Sequence, residues 1–309
     1  MFSSDVIWRI LFLFLLWTGF MGNSLLFMLY MYIFLSQNQL TKPIDLICVH
    51  LTLVNVLAIM LRLIPYLVSS FGVRHFLDNV ACKATLFTYR VTWGVSICST
   101  ALLSTFQAIT ISPRNSNWAW LKSKISTCIY PFFLSFWILN ILIYVDLIRI
   151  AEAHHNSTPV TFEYVTHYCQ TKQFEHHHLT AYTTPIIIRD LLFVVLMMWS
   201  SVYTVNLLYK HHERSQHLHS SSLSSQSSPE IKATHTILLL VSCFILFYFS
   251  DNFFTYYLFH KPEKNLQLER MTAMISSCYP TICPFVLMKN NIIVSKWTSS
   301  LSRMRIIFS

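Results

Sequence analysis

Long apolar runs, each bounded by charged residues, are the dominant pattern of this chain. Asp, Glu, Lys and Arg are all missing from six stretches, which are Ile10 to Thr41, Val91 to Pro113, Ile125 to Val145, Leu191 to Tyr209, Ala233 to Ser250 and Met271 to Met288. A charged side chain at the centre of a bilayer is costly and therefore rare. Each run reaches or nearly reaches the roughly 20 helical residues that cross a hydrocarbon core of about 30 Å. The pattern therefore predicts membrane-spanning helices.

A further apolar stretch, Ile44 to Ser70, contains the charged residues Asp45 and Arg62 and follows Pro43, which suits the first position of a helix. We therefore predict an all-α membrane protein, a bundle of seven transmembrane helices that forms a single domain over residues 1–309. The predicted helices cover residues 8–35, 44–70, 80–111, 124–147, 181–209, 232–259 and 268–288. The first run is too long for a signal peptide, so we expect it to be retained.

Composition and charge distribution agree with this prediction and give an orientation. With 54% hydrophobic and 11% charged residues and a mean hydropathy of +0.50, the chain does not resemble a soluble globule. Lys and Arg are concentrated between the fifth and sixth spans and after the seventh, and such residues favour cytoplasmic segments. We therefore predict a multi-pass plasma-membrane protein with an extracellular amino terminus and a cytoplasmic carboxyl terminus. Residues 290–309 repeat apolar side chains at three- and four-residue spacing, which predicts a short amphipathic helix on the inner surface.

Two features of the fourth-to-fifth connection fit an extracellular position. Asn156 begins an Asn-Ser-Thr sequon, which predicts glycosylation. Six of the eight cysteines lie inside apolar spans, which leaves Cys82 and Cys169 near or in connections on the oxidising face. We predict a disulfide between these two residues; the alternative is two free thiols.

Charged residues inside the spans are the strongest candidates for a site. Arg62, Arg90, Arg189, Asp190 and Asp251 all lie roughly eight to ten residues from the outer ends of their helices, or about 12 to 15 Å. Isolated charges at this depth avoid lipid, so the four helices are expected to turn them toward one interior. The layer predicts a ligand cavity, and its predicted walls include Tyr89, Trp93, Tyr256 and Tyr257. The alternative is that these charges pair with one another and hold the bundle together.

Several long strings resemble the vomeronasal type 1 receptor family. They include GNSLL from Gly22, KPIDLICVHLTLVN from Lys42, CKATLFTYRVT from Cys82, STFQAITISPRNSNWAWLKSKI from Ser104 and CYPTICPFVL from Cys278. The resemblance implies a G-protein-coupled receptor for pheromones or other small semiochemicals, which acts through heterotrimeric G proteins of the Gi/Go class. It implies no cofactor, no metal and no nucleic-acid partner, with the lipid bilayer as the surrounding medium.

A basic rim is predicted on the cytoplasmic side, where a G protein would bind. Its members are Arg114, Lys122, Lys124, Lys210, Arg214 and Lys232. Attraction to the anionic inner leaflet explains this charge equally well. The serine- and histidine-rich segment from His211 to Pro229 has no apolar face and predicts a loop.

Other classes of membrane protein fit the sequence less well. A transporter or channel would also place charges inside a helical bundle, but the sequence has no internal repeat and only four glycines for broken helices. An enzyme is not expected, since the sequence holds no nucleophile, base or metal-ligand set at useful spacing. Among receptors, a bitter-taste receptor is the nearest alternative, and the strings quoted above favour the vomeronasal type.

Overall fold

Eight helices and one small sheet make up the part of the chain that the structure describes. The structure is a computed structural model, and it describes residues 2–36, 43–73, 77–113, 119–153, 162–165, 169–172, 176–218, 229–260 and 266–289. The helices are α1 (Phe2–Ser36), α2 (Pro43–Ser70), α3 (Asn79–Ile111), α4 (Ala119–Tyr144), α5 (Leu147–Ile150), α6 (His176–Leu218), α7 (Pro229–His260) and α8 (Leu266–Lys289). All but the one-turn α5 are long and apolar enough to cross a membrane, seven in total. The predicted all-α bundle with seven spans is confirmed.

A three-stranded antiparallel sheet covers one end of the bundle. Its strands are β1 (Ala151–Ala153), β2 (Phe162–Val165) and β3 (Cys169–Lys172), and β3 lies in the middle. The predicted disulfide between Cys82 and Cys169 is present, with a Cα–Cα distance of 5.9 Å, and it ties β3 to the first turn of α3. We call this end of the bundle the disulfide end.

The third helix, α3, is the central element of the bundle. It contacts α2, α4, α6 and α7, and every residue from 91 to 104 is buried. Small residues in this stretch allow neighbouring helices to approach closely. At Gly94, an added Cβ would collide with the side chains of Asn140 on α4 and Arg189 on α6. Glycine at this position is therefore what makes room for the Arg189 side chain.

A side chain on α1 compensates for the prolines of α8. The helix α8 continues through both Pro280 and Pro284, and Pro284 has no N–H to donate to the carbonyl oxygen of Pro280. Asn23 Nδ2 donates to that carbonyl at 2.9 Å and to the Gly19 carbonyl of its own helix at 2.8 Å. The buried Asn23 therefore joins α1 to α8 where the backbone of α8 lacks a hydrogen bond.

Several helix ends differ from the sequence-based bounds. The helix α1 begins at Phe2, before residue 8, and α6 runs from His176 to Leu218, into the segment that was expected to be a loop. Charged residues mark where a span leaves the apolar core, but Lys, Glu, Arg and Gln are good helix formers that allow a helix to continue into water. The sequon at Asn156, residues 219–228 of the predicted loop and the predicted tail helix at 290–309 lie outside the described residues.

Candidate functional site

The charged residues inside the spans form two separate groups. In the first, Arg189 Nε donates to Asp190 Oδ1 at 2.8 Å, and its Nη1 donates to Asn140 Oδ1. Arg189 Nη2 donates to the Tyr144 hydroxyl at 3.0 Å, and the Tyr248 hydroxyl donates to Asp190 Oδ2 at 2.9 Å. We call these five residues the Arg189 network.

Hydrogen bonds reach every nitrogen and carboxylate oxygen of the charge pair in the Arg189 network. All three nitrogens of the guanidinium have partners, and both oxygens of the Asp190 carboxylate accept bonds. Both side chains are almost fully buried, and a buried charge pair is tolerated only when its remaining hydrogen-bonding capacity is satisfied. The network links α4, α6 and α7. Arg189 and Asp190 therefore pair with each other and hold helices together, which was the alternative to a ligand cavity.

The second group lies between α2, α3 and α7, and its guanidinium groups lie near an aromatic ring. The Cζ atom of Arg62 lies 5.0 Å from the centroid of the Tyr89 ring, and the Cζ atom of Arg90 lies 6.0 Å from the same centroid. The positive charges of Arg62 and Arg90 both act on the Asp251 carboxylate. We call Arg62, Tyr89, Arg90 and Asp251 the Asp251 group. Within it, Asp251 Oδ1 is buried and has no hydrogen-bond partner among the described residues.

Aromatic side chains from α3 border the Asp251 group. The ring centroids of Tyr89 and Trp93 are 6.5 Å apart, and both side chains are buried. Tyr256, which the sequence placed in the same wall, is 65% exposed on α7, and Tyr257 is 41% exposed. Residues 251 and 256 are five apart, and five residues of an α-helix turn through about 500°, so the two side chains point in clearly different directions. Tyr256 thus points away from the Asp251 group, and its place in a ligand site stays a prediction.

Comparison with known proteins decides the family. Residues 6–300 match the model of the vomeronasal organ pheromone receptor family. The chain belongs to the vomeronasal type-1 receptor family. Human vomeronasal type-1 receptor 2 is 36% identical over 271 residues, which are 87% of this chain and 68% of that protein. Human vomeronasal type-1 receptor 4 is 34% identical over 270 residues, 87% of this chain and 89% of that protein.

More distant relatives share the fold of this vomeronasal type-1 receptor. Olfactory receptor class A-like protein 1 of Danio rerio is 28% identical over 274 residues, 88% of this chain and 85% of that protein. The crystal structure of squid rhodopsin superposes with a TM-score of 0.72 at 14% identity, over 96% of this chain and 80% of that chain. The receptor is thus a multi-pass membrane protein with the rhodopsin-like fold. Family and fold together identify a chemosensory G-protein-coupled receptor rather than a transporter or an enzyme.

Neutral hydrogen bonds link the helices at the end of the receptor opposite the disulfide. Gln107 Nε2 of α3 donates to Thr234 Oγ1 of α7 at 3.2 Å, and both side chains are buried. The hydroxyl of Ser112, the residue that follows α3, lies 2.9 Å from the hydroxyl of Tyr203 on α6. Of the predicted basic rim, the structure describes the side chains of Lys124 and Lys210, and both are exposed. Arg114 lies outside the described residues.

Two interhelical contacts of the receptor were not predicted from its sequence. Trp137 Nε1 donates to His50 Nε2 at 3.1 Å, and His50 Nδ1 lies 3.0 Å from Ser99 Oγ, so one histidine joins α2, α3 and α4. Because Nε2 accepts from the indole, Nδ1 carries the proton that is donated to Ser99. A single uncharged histidine in an otherwise apolar span was the only sign of this contact in the sequence.

The second unpredicted contact lies at the disulfide end. Arg270 of α8 pairs with Asp5 of α1 at 2.6 Å, and the Tyr66 hydroxyl of α2 donates to Glu269 of α8 at 2.8 Å. In the sequence these charged residues stand at or beyond the ends of the apolar runs, where nothing indicates a partner. Their side chains tie the first, second and seventh spans together at this end.

Proposed function

We propose that this receptor detects pheromones or other small semiochemicals in the Asp251 group and signals through G proteins of the Gi/Go class at the opposite end of the bundle. The observation that carries the proposal is the contrast between two buried charge groups. The Arg189 network satisfies itself, whereas Asp251 keeps an oxygen without a hydrogen-bond partner among the described residues. Buried polar groups in proteins are nearly always hydrogen-bonded, so the free acceptor on Asp251 supports a place where a ligand can donate.

The proposed orientation places the disulfide end outside the cell. Disulfides form and persist in oxidising compartments, which supports an extracellular position for Cys82 and Cys169. The exposed Lys124 and Lys210 lie toward the other end, and cationic side chains favour the cytoplasmic side of a membrane. A G protein would then bind the end that carries Gln107 and Thr234.

Two helices connect the proposed ligand site with this end. Tyr89 and Gln107 are 18 positions apart on α3, which corresponds to about 27 Å along the helix axis. Asp251 and Thr234 are similarly separated on α7. A ligand that binds more tightly to one arrangement of α3 and α7 shifts the population toward that arrangement. The hydrogen bond between Gln107 and Thr234 would be weakened or broken in the signalling arrangement.

The experiment is heterologous expression with a G-protein readout. Cells that carry an epitope-tagged receptor are exposed to a panel of urinary steroids and volatiles, and inhibition of cyclic AMP formation is measured with and without pertussis toxin. We expect a toxin-sensitive response that Arg90→Ala and Arg62→Ala weaken at equal surface expression. The exposed Phe253→Ala on α7 is the matched control and should respond normally.

Each part of the proposal has its own contrary result. A response that persists in pertussis toxin would refute the Gi/Go assignment. Unchanged dose responses of both arginine variants would refute the ligand site. Antibody labelling of intact cells that finds both termini on the same face would refute the orientation.

A further inference from the structure

Asp251 is a buried carboxylate that the protein itself does not satisfy. It lies on α7, nine positions before the end of the helix at His260, or about 13 Å along the axis. Its side chain is nine-tenths buried, with 9% of the residue exposed. Oδ1 has no hydrogen-bond partner among the residues that the structure describes. A buried acceptor in this condition has lost its hydration without replacement, and among the described buried side-chain atoms that share the condition it is the one that belongs to a carboxylate. A donor from outside the chain would therefore stabilise it.

Asp190 shows that this bundle can satisfy a carboxylate whose role is structural. It lies on the neighbouring span α6 and is 8% exposed, close to the value for Asp251. Arg189 donates to its Oδ1 and Tyr248 to its Oδ2. The unsatisfied state of Asp251 is therefore not a general consequence of placing aspartate inside these helices.

The surrounding charges limit what the missing partner can be. Arg62 and Arg90 both act on the Asp251 carboxylate, so two positive charges and one negative charge meet here. An ammonium group bound to Asp251 would be repelled by both guanidinium groups. The two guanidinium groups would attract an anionic group, but such a group has no proton to donate and would leave Oδ1 unsatisfied. A neutral hydroxyl donates one hydrogen bond without either penalty.

We infer that the ligand of this receptor is an uncharged, largely apolar molecule with a hydroxyl group that donates to Asp251 Oδ1 between α3 and α7. The buried rings of Tyr89 and Trp93, which border the group, suit an apolar ligand body. This inference rests on the proposed function and adds the chemical class of the ligand to it.

The test uses matched compounds that differ at one position. The probes are androstane and decane skeletons that carry hydroxyl, hydrogen, methoxy, amino or sulfate at the same carbon, and they are added to the expression assay above. We expect an alcohol to be the most potent member of its set. Its EC50 should lie about 10- to 100-fold below that of the deoxy compound, as for a hydrogen bond to a charged acceptor.

Variants at position 251 connect this preference to the aspartate. In Asp251→Leu the ratio between deoxy and hydroxyl EC50 values should fall to about 1, because a leucine side chain accepts no hydrogen bond. Asp251→Asn keeps an amide oxygen in nearly the same shape and should retain a smaller preference for the alcohol. The matched control is Phe253→Leu, since Phe253 lies on the same helix and is 65% exposed.

Several results would overturn the inference. An amine or a sulfate as the most potent compound would show that the ligand class is wrong. An alcohol preference that survives in Asp251→Leu at normal surface expression would show that another residue accepts the hydrogen bond. Failure of both alcohols in cells where other panel compounds activate the receptor would also overturn it, while the proposed function would stand. Failure of the entire panel would instead count against the proposed function.

Discussion

The hydrogen bond between Gln107 and Thr234 predicts how strongly the resting arrangement is favoured. Thr234→Val removes the Oγ1 acceptor and keeps the shape of the side chain, while Gln107 Nε2 stays buried. If this bond exists only in the resting arrangement, its loss destabilises that arrangement relative to the signalling one. The variant should therefore signal more strongly without ligand.

The magnitude follows from the contact itself. The donor–acceptor distance of 3.2 Å lies at the long end of ordinary N–H···O bonds. Loss of the acceptor leaves the buried Gln107 donor unsatisfied in the resting arrangement, which costs about 1 to 3 kcal/mol and corresponds to a change of about 5- to 160-fold in the equilibrium between the two arrangements. Where the signalling arrangement is a minor state, basal activity should rise by about the same factor.

A second variant separates this explanation from general damage. In the double variant Gln107→Leu with Thr234→Val, no buried donor is left unsatisfied, and the two apolar side chains can pack together in the resting arrangement. Its basal activity should therefore return toward the wild-type value. Thr52→Val is the matched control, since Thr52 Oγ1 bonds only the Val49 carbonyl of its own helix.

The assay is ligand-independent nucleotide exchange on a Gi-class G protein in membranes with equal receptor content. Thr234→Val should exceed both wild type and Thr52→Val. Equal basal rates in all three proteins would refute the reasoning, and so would a double variant that is more active than Thr234→Val alone.

The remaining predictions concern stability. His50→Leu should lower the thermal unfolding midpoint of the purified receptor, because the half-buried Trp137 donor loses a hydrogen bond worth about 0.5 to 1.5 kcal/mol. A midpoint no lower than that of the exposed control His235→Leu would contradict this. Cys82→Ser should reduce surface expression, since a cross-link between positions 87 residues apart is worth about 4 kcal/mol in the chain-entropy model. Cys128→Ser should have no such effect, and equal expression of the two serine variants would contradict the expectation.

Much of the fold follows from features that the sequence displays directly. Seven apolar runs correspond to the seven long helices, because the width of the bilayer fixes how many residues a helix needs. Pro43 does begin α2. The disulfide could be predicted because Cys82 and Cys169 were the two cysteines near or in connections on the oxidising face, and the structure joins them.

Other features depend on contacts that a linear pattern does not contain. The strands β1, β2 and β3 have three or four residues each, too short for an alternation of polar and apolar side chains to be recognised. The pairing of Arg270 with Asp5 joins residues at opposite ends of the described chain. Only the closure of the bundle, with α8 packed on α1, brings these two charges together.

The two buried carboxylates show why depth alone does not reveal function. Asp190 and Asp251 lie at similar depths in their spans, and the sequence analysis therefore placed them in one layer. Their difference depends on rotation about the helix axis, where each residue turns the direction of the side chain by about 100°. On α6 this rotation places Asp190 beside the hydroxyl of Tyr248. On α7 it places Asp251 near Arg62 and Arg90, and Oδ1 has no hydrogen-bond partner among the described residues. Whether a charge in a membrane helix stabilises the protein or binds a ligand is therefore decided by the polar groups on the neighbouring helices.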